Sequence, residues 1–526
     1  MFARGLSSVV HDSWKQPLIL ALITLAVFSP SLSADFVYDA RMQILTGDFI
    51  HDPGNWLSVL SFQVLGMDVL DFNRPAMLAS LMLDAAVWGR KPFGYHLTSL
   101  LLHVVNVLLV WAVLRQAGSL NHQVRGGRSD GLSCFLATLV FALHPVVTEA
   151  VSEPTFREDL LVAAFSLGAI LLAMRHETAS GIDRGRVLGC VACCLCAVAS
   201  KESGLAAPVL LAVYWWLFRR NEPGRFWQAA IGGGAAASAA FLAARFLLEP
   251  AQSAIFETRP QYPGGSFQAA MAIQPQILAL YAQLIVLPVN FSADYGLHSV
   301  RHLPLPVSLL ILAALVVAAA FAIRSDRRMV LAVALVAVPL LPVSNLFPIY
   351  RAAADRYLYL PMAGVAVALG LLLDATWLRA RGPIREACLF ASVGAIALLG
   401  MGSIERQKVW TDSLNLWEDT ARKNPLSSTA ASGLGEALRE VGRLPEAEQS
   451  IRMALRLTDE KRADPWAMLA LILDEQGRPE EADEALRKAL ELDPRLADPN
   501  GRVRSLAMER SVADALQPLL ERLNRP

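Results

Sequence analysis

No cysteine falls in the long polar stretches of this chain or in its last quarter. All six (Cys134, Cys190, Cys193, Cys194, Cys196 and Cys388) lie inside apolar runs. A disulfide framework across the loops is thereby excluded, even where those loops face an oxidising compartment. The cluster from Cys190 to Cys196 has Cys-x-x-Cys spacing. It lacks the second Cys or His pair that a four-ligand metal site needs, and small apolar packing accounts for it. An excess of either charge is also missing: 47 basic and 47 acidic residues cancel, so nothing marks a nucleic-acid partner. The first apolar run, Pro17 to Ser33, follows Arg4 and Lys15 and has no convincing small-residue cleavage site, so it reads as a retained signal anchor.

What the chain has in abundance is long apolar runs. Of 526 residues 54% are hydrophobic, mean hydropathy is +0.41, and the charges crowd into short loops and the last quarter. A helix needs about 20 apolar residues to cross the hydrocarbon core, and only helices satisfy their own backbone there. This predicts an all-α polytopic membrane protein of about eleven spans. They fall near Pro17 to Ser33, Tyr95 to Leu114, Leu132 to Val151, Leu160 to Met174, Val187 to Ser200 and Gly204 to Phe218. The others are Phe226 to Leu248, Leu305 to Ile323, Met329 to Leu346, Leu358 to Trp377 and Ala387 to Ile404.

Orientation follows from basic residues in short loops, which favour the cytoplasm. Five loops qualify, marked by Arg115, Arg175, Arg219, Arg324 and Arg379 with their neighbours. All five are cytoplasmic only if Gln276 to Asn290, bracketed by Pro275 and Pro288, is re-entrant or interfacial rather than a full crossing. The amino terminus is then inside and the carboxyl terminus on the periplasmic or lumenal side. On this reading residues 1–404 form the membrane domain, with an external loop 34–94 whose Arg74 to Trp88 stretch is an amphipathic helix along the membrane. The Pro- and Gly-rich loop from Glu249 to Gln274 reads as irregular.

Residues 405–526 form a separate helical unit. Leu434, Leu438, Gly442, Ala447, Ala454 and Leu455 recur 35 residues later as Leu469, Leu473, Gly477, Ala482, Ala489 and Leu490. Small residues where paired helices approach and glycines at the intervening turn are a tetratricopeptide pattern. Trp410 to Pro425 reads as half a repeat and Ser511 to Leu523 as a capping helix, giving a short solenoid docked on the membrane domain.

Ionisable residues at membrane depth are functional candidates by default, with structural pairing as the rival. They occur here in four groups: Asp35 with Asp39; His144 and Glu149, followed by Arg157-Glu158-Asp159; Lys201-Glu202; and Asp355-Arg356-Tyr357. The expected topology brings all four to one surface. Carboxylates and cations together there suit transfer of a sugar from a lipid phosphate: a carboxylate takes the proton of the attacking hydroxyl, and cations hold the phosphate that leaves.

The strings FVYDARMQIL, FALHPVVTEAVSEPTFREDLL, SKESGLAAPVLL and ADRYLYLPMAG resemble the transmembrane and tetratricopeptide-repeat-containing O-mannosyltransferase-like proteins, as does the long run from Asn73 to Leu109. The resemblance extends in order over nearly the whole chain. It implies a GT-C membrane fold similar to that of the protein O-mannosyltransferases, a polyprenyl- or dolichyl-phosphate sugar as donor, and an inverting transfer without a nucleotide sugar. It also implies paired acids in the first external loop, where this chain has Asp39-Ala40. Asp39 is the candidate general base and Asp35 the alternate, with Arg157, Arg356 and Lys201 as candidate donor-phosphate ligands. His144, Glu149, Asp355 and Tyr357 are supporting polar groups.

Structural rivals stand beside each assignment: helix capping for Asp39, an Asp355 pair for Arg356, Asp159 or Glu149 for Arg157, Glu202 for Lys201, and a hydrogen-bonded structural role for His144. No oxygen-rich cluster demands a divalent metal, and none is assigned. The expected partners are a lipid-linked sugar donor, a protein or surface-glycan acceptor and membrane lipids, with the repeats recruiting a peptide or partner protein. A non-catalytic membrane-anchored scaffold is the alternative. A transporter fits less well, because the polar groups gather at one surface rather than along a mid-membrane path.

Overall fold

The structure, a computed structural model, describes residues 15–119, 131–175, 183–222, 224–248, 262–377, 383–498 and 510–523. Every regular element among them is helical. Helix α1 (Lys15–Phe28) ends in a 3-10 turn around Pro30. Then come α2 (Pro75–Trp88), α3 (Pro92–Ser119), and α4 (Leu132–Leu143) with its short continuation α5 (Thr148–Ser152). Next are α6 (Arg157–Met174), α7 (Arg184–Ser200), α8 (Ala206–Tyr214), α9 (Arg225–Leu248) and α10 (Phe267–Val286). The last four of this part are α11 (Leu305–Ser325), α12 (Arg328–Leu340), α13 (Tyr359–Trp377) and α14 (Pro383–Val409).

Among the described residues seven helices are long and apolar enough to cross a bilayer, and α4 with α5, bent by 47° at the break before Pro145, makes an eighth candidate. The chain is an integral membrane protein. Eleven crossings were expected; one of the seven long helices, α10, covers most of the segment expected not to cross, and the four expected spans outside these eight candidates differ for identifiable reasons. Helix α6 begins with Arg157-Glu158-Asp159, α7 has 17 residues, α8 ends in a π-helical turn, and α12 has only 13. They contribute to the same contiguous core as the longer helices, so their length is set by neighbours as well as by lipid.

Polar side chains inside this core are tied across helices. On α3, His103 bonds the Tyr359 hydroxyl through Nδ1 at 2.7 Å and the Ala142 carbonyl through Nε2 at 3.0 Å, while Asn106 donates to the Leu160 carbonyl at 2.9 Å. Three neighbours (α4, α6 and α13) are thereby fixed to one helix without an unmet polar group at the histidine.

One end of the bundle gathers the connections that matter. The Asp35 amide, just past α1, donates to the Thr411 carbonyl, just past α14, at 2.9 Å. The 144–159 segment, the 200–205 turn, the 286–304 segment and the 341–358 segment meet at this same end.

Helix α10 also belongs there. Tyr262, which precedes it, donates to the Leu346 carbonyl, and the Ile285 carbonyl near its close bonds His144. The segment expected to be irregular up to Gln274 is instead helical from Phe267, and residues 276–286 continue the helix without a re-entrant break. Ser266 caps it by accepting from the Ala269 amide at 3.2 Å, and Pro275 is carried inside it. The part of that loop from 249 to 261 lies outside the described residues.

Helix α14 runs unbroken through residues 404 and 405 into the repeats. The helices that follow are α15 (Ser413–Lys423), α16 (Ser428–Glu440), α17 (Leu444–Leu457), α18 (Ala463–Glu475), α19 (Pro479–Leu492), α20 (Arg510–Ala515) and α21 (Gln517–Leu523). Gly442 and Gly477 take φ of 76° and 75° at equivalent turns, a left-handed conformation that ends α16 and α18. The amides that follow them, of Arg443 and Arg478, bond back to the Leu438 and Leu473 carbonyls at 2.9 Å. A second apolar core, with Ala447, Ile451, Ala470, Ala482 and Leu486 fully buried, joins the two hairpins. The capping helix expected over 511–523 is two short helices separated at Leu516.

Candidate active site

The loop after α1 brings Asp39 to the gathering end of the bundle in a strained backbone. Tyr38 has φ of 51°, a left-handed conformation that costs a non-glycine residue about 1–3 kcal/mol and persists only where surroundings enforce it. The surroundings do so here. The Tyr38 ring stacks on Trp417 with centroids 5.4 Å apart and meets Phe156 edge-on at 5.7 Å, and its hydroxyl accepts from Arg351 Nη2 at 2.5 Å. On the other side of Asp39, the Ala40 amide donates to Glu153 Oε1 at 3.1 Å.

Between these anchors the Asp39 side chain reaches solvent and makes no hydrogen bond or ion pair with the described residues. Protein encloses it on its other sides, and that enclosure raises its carboxyl above the usual value. Arg356, then Arg351, oppose the shift. A carboxylate that is uncommitted, reachable and biased towards accepting a proton is what a general base requires. Asp35, the alternate, is exposed at the junction where its amide meets Thr411.

Arg356 sits in the turn before α13. Its Nη1 pairs with Glu149, the Glu149 carboxylate also accepts the Arg356 amide at 3.1 Å, and its guanidinium lies 3.8 Å over the Phe156 ring. The expected neutralising partner, Asp355, faces away: it accepts from the Tyr295 hydroxyl at 2.5 Å and lies 3.6 Å from Arg406. Arg356 Nε is buried without a partner. Of its side-chain nitrogens, Nη1 is the one committed to Glu149.

Lys201 shares the Tyr357 ring with Arg356: its ammonium is 5.0 Å and the Arg356 guanidinium 5.3 Å from the centre of that ring. Two of its three N–H donors are used, by Asp159 at 2.6 Å and Glu158 at 2.9 Å, and not by adjacent Glu202, which takes Arg245 at 2.7 Å. Glu158 also takes Arg74, which takes Asp71 at 2.7 Å, so alternating charges run from the first loop to α7.

Two expected site residues are structural. Arg157 is fully buried, and each of its guanidinium nitrogens has a partner. It pairs with Asp84 at 2.6 Å and donates to the Tyr95 carbonyl at 2.8 Å, to the Ser80 carbonyl and hydroxyl at 3.2 Å and to the Ser99 hydroxyl at 3.3 Å. With every guanidinium nitrogen engaged and the side chain enclosed, it is not presented to a phosphate, so its expected ligand role is corrected. Its rival pairing also differs, since the partner is Asp84 on α2 rather than Asp159 or Glu149. His144 accepts from the Val146 amide through Nδ1 at 3.2 Å and reaches the Ile285 carbonyl through Nε2 at 3.0 Å, which makes it a neutral cap between α4 and α10.

Sequence reasoning missed Glu153 and Arg351. Glu153 is wholly buried, holds Ala40 and Thr155 through Oε1, and leaves Oε2 unpartnered; burial pushes its carboxyl well above the usual carboxylate range. It lies inside a motif already noted, but a single acid beside proline carries no distinctive signal. Arg351 pairs with Asp294 and supports Tyr38. Its signal was available: an arginine in a loop expected on the far side from the basic loops is out of place unless a carboxylate holds it.

A tetratricopeptide repeat model matches residues 463–496. Protein O-mannosyl-transferase F38B6.6 of Caenorhabditis elegans is 24% identical, over 84% of this chain and 62% of its own length. Protein O-mannosyl-transferase Tmtc3 of Drosophila melanogaster is 26% identical, over 74% and 48%. Protein O-mannosyl-transferase TMTC2 of Homo sapiens is 31% identical over 38% of this chain and 23% of that protein. The chain therefore spans less than two thirds of the length of these curated relatives. Among solved structures, ArnT from Cupriavidus metallidurans bound to undecaprenyl phosphate aligns over 96% of this chain and 88% of that one, with 14% identity and a TM-score of 0.43.

Proposed function

We propose that this chain is a membrane glycosyltransferase that moves a hexose, mannose in the first instance, from a polyprenyl-phosphate donor to a hydroxyl of a protein or surface acceptor on the external or lumenal face. The observation that carries this reading is the reachable, unpaired Asp39 carboxylate at a strained loop, beside a cation with a spare donor. The similarity to protein O-mannosyl-transferases supports the sugar and the acceptor class.

In the reaction, the acceptor oxygen attacks the anomeric carbon as its proton passes to Asp39. The bond from that carbon to the phosphate oxygen breaks with its electron pair staying on the phosphate, and the anomeric configuration inverts. Arg356, through its guanidinium, and Lys201, through its third N–H, stabilise the departing phosphate. Both are pinned by carboxylates, so little reorganisation accompanies charge development. Membrane lipids surround the bundle, and no metal is assigned to the site.

The orientation reading, with the amino terminus cytoplasmic and residues 405–526 periplasmic or lumenal, is supported by the anchoring of α10 at the site end through both Tyr262 and Ile285. The reading stands or falls on reconstitution with a polyprenyl-phosphate [14C]mannose donor and a hydroxyl acceptor. Label must reach acceptor in the native protein and not in Asp39→Asn. Equal transfer by both would remove Asp39 from the reaction. Absence of transfer from any such donor, with specific partner capture by the repeats, would favour the scaffold.

A further inference from the structure

Between the Asp39 loop and the repeats lies a cleft of about 330 Å3, near the lower end of the range of ligand pockets. Tyr38, Asp39, Arg41 and Met42 line one wall. The opposite wall is a single stripe of α16, where Thr429, Gly433, Glu436 and Glu440 follow at helical spacing, and α18 closes it with Asp464 and Met468. We infer that this cleft binds the acceptor as an extended peptide whose Ser or Thr is flanked by Lys or Arg. The hydroxyl's role rests on the transferase reading; the binding preference does not.

Four features of the cleft select this ligand. The cleft is continuous from the candidate base to the repeat helices, so a peptide held on α16 and α18 presents a side chain to Asp39. Its lining carries four carboxylates (Asp39, Glu436, Glu440 and Asp464) against two guanidinium groups, so acid remains in excess after Arg41 pairs with Glu440, while Arg351 pairs with Asp294 outside the lining. Arg462 reaches Asp464 from outside the lining, which trims the negative potential without reversing it. Ser432 Oγ, on the lining, is buried with no hydrogen-bond partner and is available to a peptide backbone group. A glycan acceptor would want free aromatic faces, whereas the aromatic pair here, Tyr38 and Trp417, is stacked on itself. Gly433 is part of that arrangement, since a Cβ there would meet the Trp417 ring at 2.3 Å.

The test uses the full chain in nanodiscs without donor, and fluorescein-labelled ten-residue peptides with a central Ser flanked by Lys, by Glu or by Gln. Anisotropy should show the Lys-flanked peptide binding at least about tenfold tighter than the Glu-flanked one, with the gap narrowing as salt rises. Glu436→Arg with Asp464→Arg should abolish or reverse the preference, and Glu436→Gln with Asp464→Asn, which keeps shape, should reduce it if the arginine variant fails to fold. Equal binding of all three peptides, an unchanged preference in a folded variant, or binding of an oligosaccharide in their place would overturn the inference. Adding polyprenyl-phosphate mannose separates the two readings. Selective binding without transfer would sink the transferase and leave the cleft. Transfer with no flank preference would sink the cleft and leave the transferase.

Discussion

Arg356 pairs with Glu149, 207 positions earlier in the chain, and not with Asp355 beside it. Its guanidinium is thus fixed between α5 and the Phe156 ring while Asp355 serves a different cation, Arg406. The two charges of one dipeptide support two different parts of the molecule: one faces the candidate site, the other the joint with the repeats.

The first consequence concerns the base. Asp39→Asn keeps the shape of the side chain and removes its basicity, so transfer should fall by about 100-fold or more with expression and melting temperature little changed. Asp35→Asn should lower it far less. Transfer assays on the two purified variants decide between them, and the reverse order would move the assignment to Asp35.

The pH profile should carry the same signature. Enclosure raises the Asp39 carboxyl, and Arg356 and Arg351 restrain it, with Glu158 adding to the rise and Arg74 opposing it. A base with a raised pKa is lost by protonation as pH falls, so the acidic limb of transfer should begin above the ordinary aspartate value of about 3.9. Arg351→Gln removes one restraining cation and should move that limb to higher pH. Rate measurements across the acidic range show it; a limb that stays put or moves down contradicts the geometry.

Arg157 should behave as a structural residue. Arg157→Met leaves Asp84 buried without its cation, a change that costs about 3–5 kcal/mol, whereas Arg157→Met combined with Asp84→Leu should recover much of that loss. Thermal unfolding in detergent measures both. If instead the single variant keeps its stability and only its donor KM rises, Arg157 is a phosphate ligand after all.

The repeats should divide at Ser427. Asp294 holds the Ser427 hydroxyl at 2.5 Å, Asn424 donates to the Asp294 carbonyl at 2.6 Å, and Arg406 pairs with Asp419 at 3.1 Å. Truncation after Ser427 keeps all three contacts and should leave a folded membrane part that hydrolyses donor slowly and transfers poorly to its acceptor. Truncation after Thr411 takes Asp419 from Arg406, leaving it only the longer 3.6 Å pair with Asp355, and should lower stability, by up to about 3–5 kcal/mol. Size-exclusion profiles and melting curves distinguish the two. Equal loss of hydrolysis and transfer in the shorter deletion would mean that α16 to α21 brace the site instead of recruiting the acceptor.

Much of this was legible in the chain itself. Period and composition alone specify helices, since apolar runs near 20 residues and a repeat offset of 35 have one economical reading each. The sequence also concentrated the polar groups into four short motifs. It placed the turn between the paired helices of each repeat at Gly442 and Gly477, because a left-handed turn leaves glycine as its mark.

Partner choice was decided elsewhere. Whether Arg157 holds a phosphate or Asp84, whether Arg356 faces Asp355 or Glu149, and which carboxylates share Lys201 depend on which helices pack side by side. Local sequence carries no record of contacts that span 207 residues. The cleft is of the same kind: Asp39 and Glu436 sit in separate parts of the chain, and only the docking of α15 and α16 against the first loop brings them to one lining. Sequence determined the helices and the chemical inventory because backbone hydrogen bonding and apolar burial act locally along the chain. Tertiary structure decided which charges are spent on one another and which remain for a substrate, because an ion pair depends on distance in space.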